Sequence, residues 1–355
     1  MVYLDYAATQ PLLPEVIMAM HEAEREFYAN ASALHTPGHQ ALVKIEECRE
    51  LLAEMIRCEP GELIFTSGAS ESNNTVLNTF RGHRIECSPY EHHSVIEAAK
   101  VYCGDSEPGL YSCMLANNEL GDYVLDGTSK CDSQKYLHSD LTQVLGKVPI
   151  DVKKLGLDYA TFSAHKIGGP VGVGALYVRK SAPFKPLIIG GNQEHKRRGG
   201  TYNTVGIIGF KAALEYAKKH RTWELYDNVV RRLRDTLARR ILDEVPGSSL
   251  NTNIKQGKSL PNILNVSFRA AEGESIQLYL DAEGIIVSTG SACAAGDIKP
   301  SHVLMAKSGG DAEVAHSSIR FSFGLDNTMA DVERVMEVLP SIVDRLQKIS
   351  TISME

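Results

Sequence analysis

Apolar residues at Ala41, Ile45, Cys48, Leu52 and Met55 recur at three- and four-residue intervals after a Pro37-Gly38 break. That spacing predicts a helix with one buried face. Leu63-Ile64-Phe65-Thr66 then reads as a buried strand that runs through Ser67-Gly68-Ala69-Ser70 into a helix beginning near Glu71. Tyr159-Ala160-Thr161-Phe162 is a further apolar strand, and Met114-Leu115-Ala116 reads as a strand end. A long amphipathic helix carries Leu225, Val229, Leu233, Leu237 and Ile241 and stops at Pro246-Gly247. Beyond it the period changes to two: Leu264, Val266 and Phe268 alternate with polar residues, as do Ile319, Phe321 and Phe323. Those runs predict half-buried strands. Alternating strands and helices imply an α/β architecture with a mainly parallel sheet, followed by a smaller α+β lobe. The boundary falls just before the long helix, near Arg221, and neither an internal repeat nor a low-complexity linker interrupts the chain.

Composition narrows the function classes. A chain of 355 residues can hold one large core plus a smaller lobe. Its net charge of −7 (37 basic against 44 acidic residues) gives no overall positive field for nucleic acid. The basic run His195-Lys196-Arg197-Arg198 is short, although it stands directly before Gly199-Gly200-Thr201 and could serve a local anion. No apolar run reaches bilayer length, and the start of the chain has no basic or apolar signal segment. A cytoplasmic location without membrane contact is the resulting expectation. Seven cysteines, an odd number without a CxxC pair or metal-ligand spacing, read as reduced thiols, with no metal site expected.

The candidate chemistry centres on Ser163-Ala164-His165-Lys166, downstream of Asp140-Leu141-Thr142-Gln143. A lysine on a turn after a strand is ordinarily a solvated end residue. It can also bond covalently to a cofactor carbonyl, and an upstream strand-end aspartate can keep a pyridine nitrogen protonated. Pyridoxal 5'-phosphate (PLP) needs both groups. Ser67-Gly68-Ala69-Ser70, between a strand and a helix, offers backbone N–H groups and a hydroxyl to a phosphate, or serves only as a helix cap. Ser163, His165 and Thr201 could complete such a phosphate shell. His92 at a helix start could lie on the cofactor ring and exchange protons with substrate. Asn118 offers an amide where a phenolic oxygen or a substrate carboxylate would sit. Arg320 shares a polar strand face with Ser318 and Ser322, and its planar fork suits an amino-acid carboxylate. Cys293, within Ser288-Thr289-Gly290-Ser291-Ala292-Cys293-Ala294-Ala295-Gly296, lacks the packing of a core cysteine and could act as a nucleophile.

In order along the chain, Tyr3-Leu4-Asp5-Tyr6-Ala7-Ala8-Thr9, Phe65-Thr66-Ser67-Gly68-Ala69, Asn117-Asn118-Glu119-Leu120-Gly121, His165-Lys166, Gly290-Ser291-Ala292-Cys293 and Ser317-Ser318-Ile319-Arg320-Phe321-Ser322 resemble the NifS/IscS-type cysteine desulfurases. These are PLP enzymes of the class V aminotransferase group. The resemblance implies a fold-type I PLP-dependent transferase, with a large PLP-binding domain at 16–221 and a small domain at 1–15 and 222–355. It implies that Lys166 anchors the cofactor, Asp140 pairs with its ring nitrogen, and His92 stacks on the ring. Gln143 and Asn118 would lie near the phenolic oxygen. Ala69, Ser70, Ser163 and His165 would bind phosphate, with Thr201 supplied by the other subunit of a homodimer. Arg320, beside Asn118, would hold the substrate carboxylate. Cys293 would take sulfur from L-cysteine as a persulfide, releasing alanine, for delivery to an acceptor protein.

Several features depart from that family pattern. The segments His92–Asn117 and Gly121–Asp140 are short, implying a missing strand and part of a crossover, and Gly127-Thr128-Ser129 makes a poor helix. One face of the sheet is therefore expected to need cover from a partner. Leu141 stands where the family has a small residue, and little sequence follows Leu346 to engage an iron–sulfur scaffold. The acceptor stays open among iron–sulfur cluster assembly, tRNA, DNA and other cofactors. Selenocysteine lysis, another PLP-dependent elimination or transamination, and a non-catalytic PLP-binding partner protein are the competing readings.

Overall fold

The computed structural model describes residues 1–125, 135–255, 257–289 and 300–350. The chain divides into two compact units, Thr9–Leu115 with Val124–Trp223, and Met1–Ala8 with Ala116–Tyr123 and Glu224–Glu355. Relative to the boundaries expected from sequence, residues 9–15 fall with the larger unit and 116–123 with the smaller. Among the described residues there are twelve strands, β1 to β12 in chain order.

The larger unit is built on β2 (Leu63–Thr66), β3 (Arg84–Cys87), β4 (Pro108–Ser112), β5 (Tyr136–Asp140), β6 (Tyr159–Ser163) and β7 (Gly174–Val178), in the spatial order β2-β7-β6-β5-β4-β3. β3 to β6 pair in parallel, whereas β7 runs antiparallel to both β6 and β2. The carboxyl ends of β2, β4, β5 and β6 therefore open on one edge, bringing Thr66, Ser112, Asp140 and Ser163 to the same side. Ligands of parallel α/β sheets bind outside the carboxyl ends of the strands. Ile64, Leu110, Tyr159 and Leu176 from the sheet share one core with Val76, Leu77 and Phe80 at the end of the helix Ala69–Thr79 and Val95 of the helix His93–Tyr102. Each such side chain contributes roughly 1.5–3 kcal/mol by leaving water.

The periodic helix at 41–55 is present as Thr36–Ile56, with Ala41, Ile45, Cys48 and Leu52 buried. His35 caps it through Nδ1, which accepts from the Gly38 N–H at 3.1 Å, and Arg57 ends it at φ 62°. β4 stops at Ser112, short of the expected strand end at Met114–Ala116, although the Cys113 and Leu115 N–H groups still donate to the His138 and Asp140 carbonyls of β5 at 2.9 and 3.3 Å. The alternate positions serve other partners: Met114 N–H donates to the Glu91 carboxyl and Ala116 bridges to Tyr123.

In the smaller unit, β1 (Val2–Tyr3) pairs in parallel with β10 (Ile285–Ile286). A second, antiparallel sheet has the order β11 (Ser288–Thr289), β12 (Ser318–Ser322), β9 (Ile263–Phe268), β8 (Ser248–Leu250). Leu233, Leu237 and Ile241 of the helix Arg231–Glu244 and Val335, Leu339 and Val343 of the helix Met329–Ile349 share its core with Val266, Phe268, Ile319 and Phe321. The long helix expected from Leu225 is interrupted by a π turn, Tyr226–Val230. β9 and β12 are buried at every position, not on alternate faces. Their polar sides are covered because they are paired: Asn251 Nδ2 donates to Asn265 Oδ1 and to Ser267 Oγ, both at 2.7 Å, and the Ala7 N–H donates to Ser322 Oγ at 2.9 Å. No described helix is long and apolar enough to cross a membrane.

Candidate active site

Asp140 is the last residue of β5 and is buried. Its two carboxyl oxygens are held separately: Oδ1 accepts from the Thr142 N–H at 2.9 Å and Oδ2 accepts from Asn73 Nδ2 at 2.9 Å. Glu91, also buried, faces it. Burial first, and then the Asp140 carboxylate, push the Glu91 carboxyl well above its usual range, which favours its neutral form. Beneath them His138 contacts Ser112 Oγ through Nδ1 at 2.8 Å and Thr161 Oγ1 through Nε2 at 3.1 Å. Burial pushes this imidazole down to about 4, against the opposing pull of Asp140. The His138 imidazole behind Asp140 is thus neutral at physiological pH.

β6 ends at Ser163, and the chain turns through the short 3₁₀ segment Ala164–Ile167, closed by Gly168 at φ 77°. The turn fixes Lys166 beside the same sheet edge, and its carbonyl accepts from Gln10 Nε2 at 2.6 Å. His165 Nδ1 lies 3.1 Å from Thr9 Oγ1. Burial, then Lys166 and Lys147, lower the His165 imidazole to about 4, so it is neutral. Lys147 was not anticipated. It is fully buried, its amine donates to the Gln143 carbonyl at 3.2 Å, and burial followed by Lys166 lowers it to about 7. Gln143 and Leu141 are buried beside it.

At the β2 end, Gly68 takes φ 151°, the left-handed side of the map, and opens the helix Ala69–Thr79. A side chain at Gly174 in β7 would meet the Gly68 Cα at 2.7 Å, so the turn lies directly on the start of β7. Ala69 and Ser70 form the first helical positions, with Ser70 exposed. The Ser67 N–H donates to Glu71 Oε2 at 2.8 Å, and Arg198 Nε to Glu71 Oε1 at 3.0 Å. Thr201 is exposed and, with Ser67 and Arg198, lines a hollow of about 220 Å³ in this same unit that includes neither Lys166 nor Asp140. His92 is the N-cap of the helix His93–Tyr102, its Nδ1 accepting from the Ser94 N–H at 3.1 Å.

In the smaller unit, Asn117 Oδ1 accepts from the Glu119 and Leu120 N–H groups, both at 2.8 Å, which turns the chain tightly at Asn118. Arg320 is buried, not on a surface. Its Nη1 donates to the Asn118 carbonyl at 3.0 Å and its Nη2 to Asp5 Oδ1 at 2.7 Å. Its Nε has no partner among the described residues. Glu119 accepts from Ser301 Oγ. Burial raises its carboxyl to about 7, against the lowering effects of Ser301 and Arg320. Cys293 and the residues around it, 290–299, lie outside the described residues, as does Gly127-Thr128-Ser129.

The sequence pointed to Lys166, Asp140, Ser163, Ser70 and His92, all carried by the larger unit; Asn118 and Arg320 belong to the smaller. It passed over Asn73, Glu91, Ser94, His138, Lys147 and Glu119.

The residues present fit PLP. A carboxylate aligned by two donors, a helix start with an exposed hydroxyl, and a lysine beside the same sheet edge are the donor set that its ring nitrogen, phosphate and carbonyl require. Comparison with known proteins agrees. The aminotransferase class-V family model matches residues 2–107 and 108–335. Cysteine desulfurase IscS of Dictyoglomus turgidum is 39% identical, with 100% of this chain and 97% of the relative covered. Among solved structures, a NifS-like protein is 32% identical with a TM-score of 0.83, covering 98% of each chain. SspA in complex with cysteine is 29% identical with a TM-score of 0.73, covering 91% of this chain and 99% of that one. The chain belongs to the aminotransferase class-V family.

Proposed function

We infer that the chain is a PLP-dependent cysteine desulfurase: L-cysteine loses its sulfur to an enzyme thiol and leaves as L-alanine. The observation that carries this reading is the Asp140 carboxylate. It is buried, aligned by Asn73 and Thr142, and set on the sheet edge that Lys166 also borders. Relatives named cysteine desulfurase over nearly the whole chain support the substrate. Bound PLP supplies an electron sink that labilises the bonds at the substrate α-carbon.

The roles of individual residues are proposals. Lys166 holds the cofactor and, once released, moves the α-proton. Asp140 keeps the proton on the ring nitrogen. His92 covers the ring, Gln143 and Asn118 address its phenolic oxygen, and Ala69, Ser70, Ser163 and His165 take the phosphate. Arg320 binds the substrate carboxylate, which must then compete with Asp5 for the Nη2 group. The Cys293 sulfur attacks the cysteine sulfur: a sulfur–sulfur bond forms, the carbon–sulfur bond breaks, and the pair of electrons left on carbon is protonated to give alanine. Atoms balance as cysteine plus thiol giving alanine plus persulfide. A homodimer with Thr201 acting across the interface, an acceptor protein for the persulfide, and a cytoplasmic location complete the proposal.

The test is turnover by the purified protein. With L-cysteine and a thiol reductant, alanine and sulfide should form in equal amounts, and Lys166→Ala should abolish both. Pyruvate and ammonia in place of alanine would move the chain to β-elimination chemistry.

A further inference from the structure

Asn73 lies on the helix Ala69–Thr79 and is fully buried. Its amide nitrogen has two hydrogens and two acceptors. One is Asp140 Oδ2 at 2.9 Å and the other is Ser94 Oγ at 2.9 Å. Since Ser94 Oγ accepts from Asn73, its own hydrogen is available to donate. The neighbouring atom is His92 Nδ1 at 2.8 Å. That nitrogen also accepts from the Ser94 N–H, so it carries no proton, and a neutral His92 is protonated on Nε2. The direction of every bond in the chain Asp140–Asn73–Ser94–His92 follows from donors and acceptors alone. Asn73 Oδ1 is buried with no partner among the described residues, so the amide is held by its nitrogen side only.

We propose that Asn73 and Ser94 are positioning residues which wire His92 to Asp140, so that one buried amide sets both the direction of the Asp140 carboxylate and the hydrogen-bonded state of His92 Nδ1. The inference rests on the reading above that Asp140 and His92 address the cofactor ring. Hydrogen bonds in such a chain polarise one another, which makes the two ends respond to each other. An amide serves here where a carboxylate would not, because it supplies two donors and adds no negative charge beside Asp140.

The test uses PLP-loaded enzyme labelled with nitrogen-15 in its histidine rings, the His92 signals being assigned by their loss in His92→Gln. Asn73→Ala, which leaves both Ser94 groups at His92 Nδ1 in place, should move the Nδ1 resonance toward that of a nitrogen with one fewer donor. Ser94→Ala should move it the same way, the double variant no further, and Ser94→Thr should restore it. Turnover of Asn73→Ala should fall about tenfold to hundredfold in kcat, the cost of a misplaced catalytic group, with KM within about twofold. An unmoved Nδ1 resonance in Asn73→Ala and Ser94→Ala overturns the wiring. A moved resonance with unchanged kcat overturns the positioning role. If His92→Gln and Asp140→Ala are then also fully active, the fault lies in the underlying reading of the site. Ser94 is only partly buried, so Ser94→Ala keeps the test valid even if Asn73→Ala fails to fold.

Discussion

Glu119 shows how a single position can couple burial to pH. Its carboxyl, raised to about 7, is favoured in the neutral form by the folded chain, whereas the unfolded chain ionises near the ordinary 4.5. Stability from the neutral form is complete below about 4.5 and is lost as pH rises through about 7. Glutamine keeps an acceptor for Ser301 and cannot ionise. Glu119→Gln should therefore melt close to wild type at pH 5 and higher at pH 8, by an amount on the order of 3 kcal/mol. An equal difference at both pH values would show that Glu119 does not titrate in this range. The same residue marks the limit of reading a sequence. Lys166 was legible because it follows the apolar run Tyr159-Ala160-Thr161-Phe162, where a polar group is conspicuous, and Asp140 because it stands upstream at a strand end. Asn73 sits in Glu71-Ser72-Asn73-Asn74, which resembles a solvated helix face, and its partner lies 67 residues away in the chain.

Among the elements, the sheet edge depends on how closely its turns approach. Gly174 pairs with Thr66 on one side and Ser163 on the other, and a Cβ there would meet the Phe162 carbonyl oxygen at 2.5 Å as well as Gly68. Gly174→Ala should displace the Ser67–Ser70 turn and weaken PLP affinity about tenfold or more, the effect expected when binding groups are shifted from their geometry. Equilibrium dialysis against PLP measures it, and unaltered affinity would remove that turn from the cofactor site. Strand and helix existence was largely legible, since the segments at 41–55, 63–66 and 264–268 form the helix and the strands expected of them. The depth of burial was not. Alternation in β9 and β12 suggested one wet face, yet Asn265, Ser267, Ser318 and Arg320 are all buried. Polar side chains that satisfy one another tolerate burial, and periodicity cannot distinguish that from solvent.

For the whole molecule, the mainly parallel sheet and the antiparallel one follow from the switch in periodicity along the chain. The grouping of 116–123 with the smaller unit does not, because it depends on contacts made far away in sequence, such as Thr252 Oγ1 donating to the Leu120 carbonyl at 2.7 Å. Assembly is a further expectation at this scale. If Thr201 acts across a dimer interface, mixing Thr201→Ala and Lys166→Ala chains should yield heterodimers with one intact site and recover activity that neither variant shows alone. No recovery after verified subunit exchange would place Thr201 in the site of its own chain, where it already shares a hollow with Ser67. The most direct test of the desulfurase chemistry is mass spectrometry of the protein after a pulse of L-cysteine and thiol blocking. One additional sulfur on the peptide containing Cys293, absent in Cys293→Ser and in Lys166→Ala, is the expected result. A PLP-loaded protein that releases alanine with no added sulfur at Cys293 would contradict the assignment of that cysteine as the acceptor thiol.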